Sequence, residues 1–344
     1  MTALLRANRV TKIFRSGMMR RRHTVALRDF SLTVETDMSS IIAVVGESGS
    51  GKSTMARLLL GLETPTEGQV LYKGRDLTEL GRAERREFLR DVQAVFQDPF
   101  AACNSFYRID HVLEVPIAKF KLARSKAEAR ALIRDVLGTV GLRPQETLGR
   151  YPHQLSGGQR QRIMVARALL MRPKLIIADE PVSMIDASLR ATVLDSLQQL
   201  NREYGISLIY ITHDLATAYQ ISNDIIVLYA GSVVEAGAVE QVVKQPQHPY
   251  TQLLINSIPL PNPNRQWQDE APPSERGREA RPGEGCVFAP RCPHAFEPCL
   301  EAPPPLYRTA QNQLTACYLY DEHDVVPTEE MDTAFVGRVT RQVA

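Results

Sequence analysis

The sequence predicts an α/β fold, a mixed, mostly parallel sheet with helices packed on its faces. Three observations carry the prediction. The apolar run Ile41-Ile42-Ala43-Val44-Val45 leads into the glycine-rich turn Gly46-Glu47-Ser48-Gly49-Ser50-Gly51-Lys52-Ser53-Thr54, then into the helix-like Met55-Ala56-Arg57-Leu58-Leu59-Leu60. Strand-length apolar runs alternate with stretches of helical period along the chain, the pattern of parallel strands joined by crossover helices. One such run, Lys174-Leu175-Ile176-Ile177-Ala178, ends in the carboxylates Asp179-Glu180, and the carboxyl ends of parallel strands are where such sheets hold ligands.

In chain order, residues 4–14 and 24–35 read as strands with alternating apolar positions, joined by a polar, basic loop. After the turn Pro65-Thr66-Glu67-Gly68 come a short strand at Gln69–Tyr72, a charged helix over 82–90 and a strand at Val92–Phe96 that runs into Gln97. Residues 107–141 carry apolar positions at helical spacing, with Gly141 and Pro144 as the stop. Ser156-Gly157-Gly158-Gln159 caps a helix running to Leu170, Ser156 being a good N-cap residue. A helix over 187–203 and a strand at Ser207–Ile211, ending at His213, follow. Strands over 225–229 and 232–235 and a short helix near residue 240 close the core. From Gln245 the composition shifts. A helix at Tyr250–Ile258 precedes a proline-rich charged linker, 259–285, then four clustered cysteines and a polar tail read as frayed.

Bulk properties bound the possibilities. The 344 residues suffice for one large domain and an appendage, and 44% hydrophobic with 23% charged residues is an ordinary globular profile. Lys+Arg 41 against Asp+Glu 39 gives a net charge of +2, which offers no bulk attraction for nucleic acid. No apolar run reaches membrane-span length and no signal peptide opens the sequence, so a cytoplasmic chain that docks onto a membrane protein is expected. The cluster Arg20-Arg21-Arg22 reads as a solvated loop, with lipid headgroups or phosphate as the other reading.

The glycine-rich turn matches G-x-x-x-x-G-K-S/T, the phosphate-binding loop. Its glycines let successive N–H groups point into one concave nest, and the helix that follows adds its positive dipole end. Lys52 is placed to reach the β/γ-phosphates of a nucleotide and Ser53 to hold Mg²⁺. An Asp at the end of a hydrophobic strand suits a second Mg²⁺ contact, and the adjacent Glu can orient or deprotonate a water. Phe14, at a strand end, could stack on a nucleobase or simply pack. Gln97 and His213 by themselves read as surface loop residues.

Leu155-Ser156-Gly157-Gly158-Gln159-Arg160-Gln161-Arg162 changes that reading. Residues 4–245 closely resemble the ATP-binding subunit of an ABC transporter. The octet resembles that family's signature, and the order phosphate loop, Gln97, signature, Asp179-Glu180, His213 is the family's order. The resemblance implies an ABC-type P-loop ATPase domain at 1–245 with a helical subdomain inserted at about 98–160, and an extension at 246–344. It implies that Phe14 stacks on adenine and that Gly46 to Thr54 cradle the phosphates of ATP. It gives Gln97 a contact with Mg²⁺ and the attacking water, Asp179 support of Mg²⁺, Glu180 the role of catalytic base, and His213 a contact with the γ-phosphate. Ser156, Gly157, Gly158 and Gln159 are implied to bind a nucleotide held by a second ATPase subunit, with Asp186 at that interface. Many relatives have Thr-Ser-Ala-Leu-Asp where this chain reads Val182-Ser183-Met184-Ile185-Asp186 after Pro181; the changes are apolar and Ser183 and Asp186 remain.

His248-Pro249-Tyr250-Thr251, Gly285-Cys286-Val287-Phe288-Ala289-Pro290-Arg291-Cys292-Pro293 and Tyr151-Pro152-His153 resemble the dipeptide/oligopeptide importer ATPases, a subfamily that includes nickel importers. Two permease subunits, an indirect extracytoplasmic solute-binding protein and a heterodimeric second ATPase are implied partners, at the cytoplasmic face of the membrane. Cys286, Cys292, Cys299 and Cys317 are spaced C-x5-C-x6-C-x17-C. Zinc ribbons favour C-x2-4-C, so the spacing matches zinc poorly. The resemblance implies a 4Fe–4S cluster; zinc, or packed reduced thiols, are the other readings. Two other classes of function compete: a soluble ABC ATPase acting on ribosome or nucleic acid, which usually carries two cassettes, and a regulatory, non-hydrolysing subunit.

Overall fold

All five residues of Ile41–Val45 are buried, as a parallel strand covered on both faces requires. The computed structural model describes residues 3–16, 22–97, 104–258, 285–337 and 339–340. Arg20, Arg21, Cys103 and the 259–284 part of the linker lie outside them. The chain opens with β1 (Ala3–Ser16), β2 (Arg22–Glu35), β3 (Met38–Ser39) and β4 (Ile41–Val45). Then come α1 (Lys52–Leu59), β5 (Glu67–Tyr72), β6 (Arg75–Asp76), α2 (Arg82–Asp91) and β7 (Val92–Val95). Four helices follow: α3 (Ile109–Phe120), α4 (Lys126–Thr139), α5 (Pro144–Thr147) and α6 (Gly157–Leu169). The next elements are β8 (Leu175–Asp179), α7 (Ala187–Tyr204), β9 (Ser207–Thr212), α8 (Leu215–Ile221), β10 (Asp224–Tyr229), β11 (Ser232–Ala238), α9 (Val239–Lys244) and α10 (Pro249–Asn256). The C-terminal segment adds α11 (Glu297–Glu301), β12 (Leu306–Ala310), β13 (Gln313–Thr315), β14 (Val325–Val326) and β15 (Val339–Thr340).

Among the described residues the main sheet has nine strands in the order β14-β12-β13-β11-β10-β4-β9-β8-β7. From β10 to β7 neighbouring strands pair in parallel, and from β10 to β14 they are antiparallel. A second, antiparallel sheet, β2-β1-β5-β6, lies beside it. The period of two in β4 divides the core. Ile41, Ala43 and Val45 face a cluster shared with α3, α4, α6 and α7, while Ile42 and Val44 face one shared with β1, β2, α1 and α2.

The expected elements are present, with four differences. The inserted helical region is two main helices, because Lys121 adopts a left-handed conformation (φ 54°) and ends α3. Pro144 starts α5 instead of ending a helix, since the first helical position needs no N–H. Helix α8 was not read from the sequence; Asp214 caps it, its side chain accepting from the N–H of Ala216 (3.0 Å) and Thr217 (3.4 Å). Among its described residues the tail is not frayed. Strands β12 to β14 extend the main sheet, and Leu306, Leu314, Val326, Met331, Ala334 and Phe335 are buried in the second core cluster.

A buried polar cluster fastens this tail to β11. The Glu235 carboxylate accepts from the N–H of Gln247 (2.9 Å) and His248 (3.0 Å) and from Gln313 Nε2 (2.6 Å). His248 caps α10, its Nδ1 accepting from Tyr250 N–H at 3.0 Å. Burial pushes the His248 imidazole down to about 3 from 6.5. Above pH 6.5 neither the folded nor the unfolded chain protonates it. As pH falls toward 3 only the unfolded chain takes the proton, so stability falls by about 1.4 kcal/mol per pH unit. Burial pushes the neighbouring Glu235 carboxyl up, which acts in the opposite sense, so the comparison must be between variants. His248→Asn keeps an acceptor at the cap. In denaturant titrations at pH 7.5 and 5.0, wild type is expected to lose about 2 kcal/mol more stability than His248→Asn.

Candidate active site

The loop between β4 and α1 is shaped by its glycines. Gly46, Gly49 and Gly51 all have positive φ (155°, 81° and 104°). At Gly51 a Cβ would come within 2.3 Å of the Ala26 carbonyl oxygen, so β2 and the loop meet at a point that only glycine leaves open. Inside the loop the buried Lys52 ammonium donates to the carbonyls of Gly46 (2.7 Å) and Glu47 (2.8 Å) and to Ser50 Oγ (3.3 Å). Its three donors are thus held by groups that an incoming phosphate can replace. Burial pushes the Lys52 ammonium down, while Glu180, Asp179 and Glu47 pull it up.

Three strand ends supply the opposing wall. Asp179 closes β8, and Ser53, in the first turn of α1, lies close enough to its carboxylate to hold the pKa down. Burial pushes the Asp179 carboxyl up, the nearby Ser53 hydroxyl opposes this, and Glu180 pushes it further up. A half-buried carboxylate beside a second one and a serine hydroxyl is a hard-oxygen donor set that fits Mg²⁺. Glu180 has a left-handed backbone (φ 47°), a conformation that costs a non-glycine residue about 1–2 kcal/mol. It is held there by its N–H donating to Ile211 O (2.8 Å) and by Ser183 N–H and Oγ donating to its carbonyl (3.2 and 3.0 Å). Its carboxylate is pinned from both flanking strands. Gln97 Nε2 donates to Oε2 at 2.9 Å, and His213 Nδ1 lies 2.9 Å from Oε1. An ionised Glu180 requires the proton on His213 Nδ1.

The remaining candidates lie apart from this contact set. Phe14 is an exposed ring with Lys12 Nζ 5.1 Å from its centroid. Ser156 and Gln159 form a capping box at the start of α6, Gln159 N–H donating to Ser156 Oγ (3.2 Å) and Ser156 N–H to Gln159 Oε1 (2.9 Å). Gly157 lies against the loop after Glu180, where a Cβ would come 3.1 Å from Met184 O. Among the described residues no hydrogen bond joins 156–159 to 46–54. Asp186 is exposed at the N-cap of α7 and makes no side-chain cap bond.

Cys286, Cys292, Cys299 and Cys317 are free thiols. They lie within electrostatic reach of one another, and burial with that mutual influence pushes Cys317 up to about 11. Among the described residues no group of three or more His, Cys, Asp or Glu is placed to hold a single metal ion; the thiols themselves are soft donors. Two contacts to the loop went unread in the sequence, although their motifs were visible. Tyr250 OH accepts from Glu47 N–H at 2.9 Å, and Arg291 pairs with the Glu47 carboxylate.

Fold and site together define a P-loop protein that binds a nucleotide with a cation. The family profile described as ABC transporter matches residues 27–183, and that of the oligopeptide/dipeptide transporter C-terminal region matches 234–299. The chain is 43% identical to the oligopeptide transport ATP-binding protein OppF of Salmonella typhimurium over 267 residues, 77% of this chain and 80% of that protein. It is 38% identical to the dipeptide transport ATP-binding protein DppF of Haemophilus influenzae over 323 residues, 93% of this chain and 98% of that protein. The dimeric post-hydrolysis structure of the ATP-binding cassette MJ0796 with ADP and Pi superposes with a TM-score of 0.60 at 30% identity, covering 68% of this chain and 98% of that one. The chain belongs to the ABC transporter family as an ATP-binding cassette, an ATPase.

The glycines give a graded test. Gly51→Ala meets both strain and the Ala26 carbonyl and is expected to cost about 2–3 kcal/mol, read by urea titration, and to abolish binding of a fluorescent ATP analogue. Gly49→Ala meets nothing within 4 Å and is expected to cost only about 1 kcal/mol of backbone strain.

Proposed function

We propose that this chain is the ATP-hydrolysing subunit that powers a membrane importer of peptides or a related small solute. The convergence of Gln97 and His213 on Glu180, beside Lys52, Ser53 and Asp179, carries the ATPase half of the reading. The printed functions of the relatives and the matched C-terminal region support the importer half.

In this reading residues 1–245 are the ATPase domain and 246–344 its extension. The loop N–H groups of Gly46 to Thr54 bind the phosphates, and Lys52 exchanges its loop carbonyls for β- and γ-phosphate oxygens. Ser53, Asp179 and Gln97 would hold Mg²⁺, which when bound neutralises charge developing on the phosphates. Ionised Glu180 takes a proton from a water as the water oxygen bonds the γ-phosphorus; the bond to the β–γ bridging oxygen breaks, giving ADP and phosphate. His213 and Gln97 fix the direction of that carboxylate. Phe14 stacks on the base. Ser156 to Gln159, at a helix N-terminus away from this chain's own loop, serve the nucleotide of a second cassette, with Asp186 at the shared face. ATP then joins two subunits and hydrolysis parts them, the motion passed to two permease chains. A second cassette of different sequence is the favoured partner, and the complex sits at the cytoplasmic face of the membrane. Among the described residues no helix is long and apolar enough to cross it.

Glu180→Gln is expected to bind ATP, to accumulate a dimer on size exclusion with ATP and Mg²⁺, and to turn over about 10²–10³-fold more slowly than wild type. Equal turnover by the two would remove Glu180 from the role of base. Purification of the intact complex tests the partners. Two membrane chains and a distinct second cassette are expected, and recovery on ribosomes without membrane chains would favour the soluble alternative. The four-thiolate donor set supports a 4Fe–4S cluster as part of this proposal. In the same preparation the cluster requires iron and a visible absorbance band; zinc without iron overturns it.

A further inference from the structure

The cysteine-bearing segment reaches the nucleotide loop through one residue. Arg291 Nη1 and Nη2 donate to the two Glu47 carboxylate oxygens at 3.0 and 3.2 Å, and Nη1 also lies 3.3 Å from Tyr229 OH. The guanidinium stands 5.6 Å from the Tyr229 ring centroid and 5.7 Å from that of Phe288. Phe288 is buried and packs against Tyr229, His248 and Tyr250. Glu47 is therefore held at three points. Its N–H donates to Tyr250 OH, its carbonyl accepts from Lys52, and its carboxylate takes the Arg291 fork. Two of these holds come from residues more than two hundred positions away.

The chemistry matters because of what the loop binds. An unpaired Glu47 carboxylate on a phosphate-binding loop repels the anion it serves. A bidentate guanidinium cancels that charge and also fixes the side chain's direction, which a lysine ammonium, a point charge, does not. Half-exposed ion pairs contribute little to overall stability, so the consequence to expect is local, in the loop's readiness for phosphate. We propose that Arg291 is a positioning residue for ATP, supplied by the C-terminal segment: it neutralises and orients Glu47, and nucleotide affinity depends on the docking of residues 285–292. The proposal uses the ATP site of the family and is independent of which solute or permease the subunit serves.

The test uses the full-length subunit alone, with a fluorescent ATP analogue for affinity and steady-state ATPase kinetics. Arg291→Ala is expected to raise Kd and KM for ATP about 5- to 20-fold while kcat stays within twofold. Arg291→Lys is expected to recover less than half of that loss. In a Glu47→Gln background, where the charge to be neutralised is gone, Arg291→Ala is expected to add less than twofold. Arg308→Ala serves as the control, because it removes a contact of the same segment with Thr333 (2.7 Å) far in sequence from the loop; its thermal midpoint is expected to fall with Kd unchanged. An Arg291→Ala Kd within twofold of wild type overturns the proposal. So does an undiminished Arg291→Ala effect in the Glu47→Gln background. If Arg291→Ala does not fold, Glu47→Gln and Arg291→Lys, measured singly, carry the test: both unchanged in Kd would equally overturn it.

Discussion

The site depends on the register of three parallel strands. Val95 of β7 pairs with Ala178 of β8, and Asp179 of β8 pairs with Ile211 of β9. Gln97, Glu180 and His213 each follow their strand by one or two residues, so the register brings all three to one edge at the same height. Slipping any of these strands by one residue would exchange its two faces, moving apolar residues from one core cluster to the other. The cost of that exchange is what holds the polar ends in place. Hydrophobic burial along the strands thus sets a polar geometry at their tips, which the polar residues could not set for themselves.

The same register explains why strain is tolerated at Glu180. The chain must turn sharply after β8 to present the carboxylate between its neighbours, and the left-handed backbone at φ 47° is that turn. Its N–H bond to Ile211 and the double Ser183 contact to its carbonyl oppose relaxation. A glycine would adopt the conformation without strain and would have no base to offer. Strained non-glycine residues persist where the surroundings over-determine them, and here every determining contact comes from a strand end or from the turn itself.

These distinctions mark what could be read in advance. Ile41–Val45 and Leu175–Asp179 were legible because strands covered on both faces are continuously apolar, and the phosphate loop because its spacing is local. Gln97 and His213 were ambiguous as single residues, since their meaning lies in a pairing register that spans more than a hundred residues; only the resemblance lifted them. The sheet-extending tail was missed because β12, β13 and β14 are two to five residues long, too short to display alternation. Arg291 and Tyr250 sat in plain motifs, yet their target, Glu47, lies 244 and 203 residues away, a separation that local pattern does not reach.

The tail's position gives the extension two tasks at once. The β11 edge, left open, would present unpaired backbone groups; β13 covers it through pairs from Glu235↔Thr315 to Gly237↔Gln313. The same Glu235 holds the start of α10 through the Gln247 and His248 amides, and α10 in turn carries Tyr250 to the Glu47 amide. Sheet edge, buried carboxylate, helix cap and nucleotide loop are therefore consecutive links in one chain of contacts. An extension that only protected an edge would need none of the later links. One that only touched the loop would not need to enter the sheet. Both tasks are built on Glu235, so the sheet edge and the hold on the phosphate loop share one buried carboxylate.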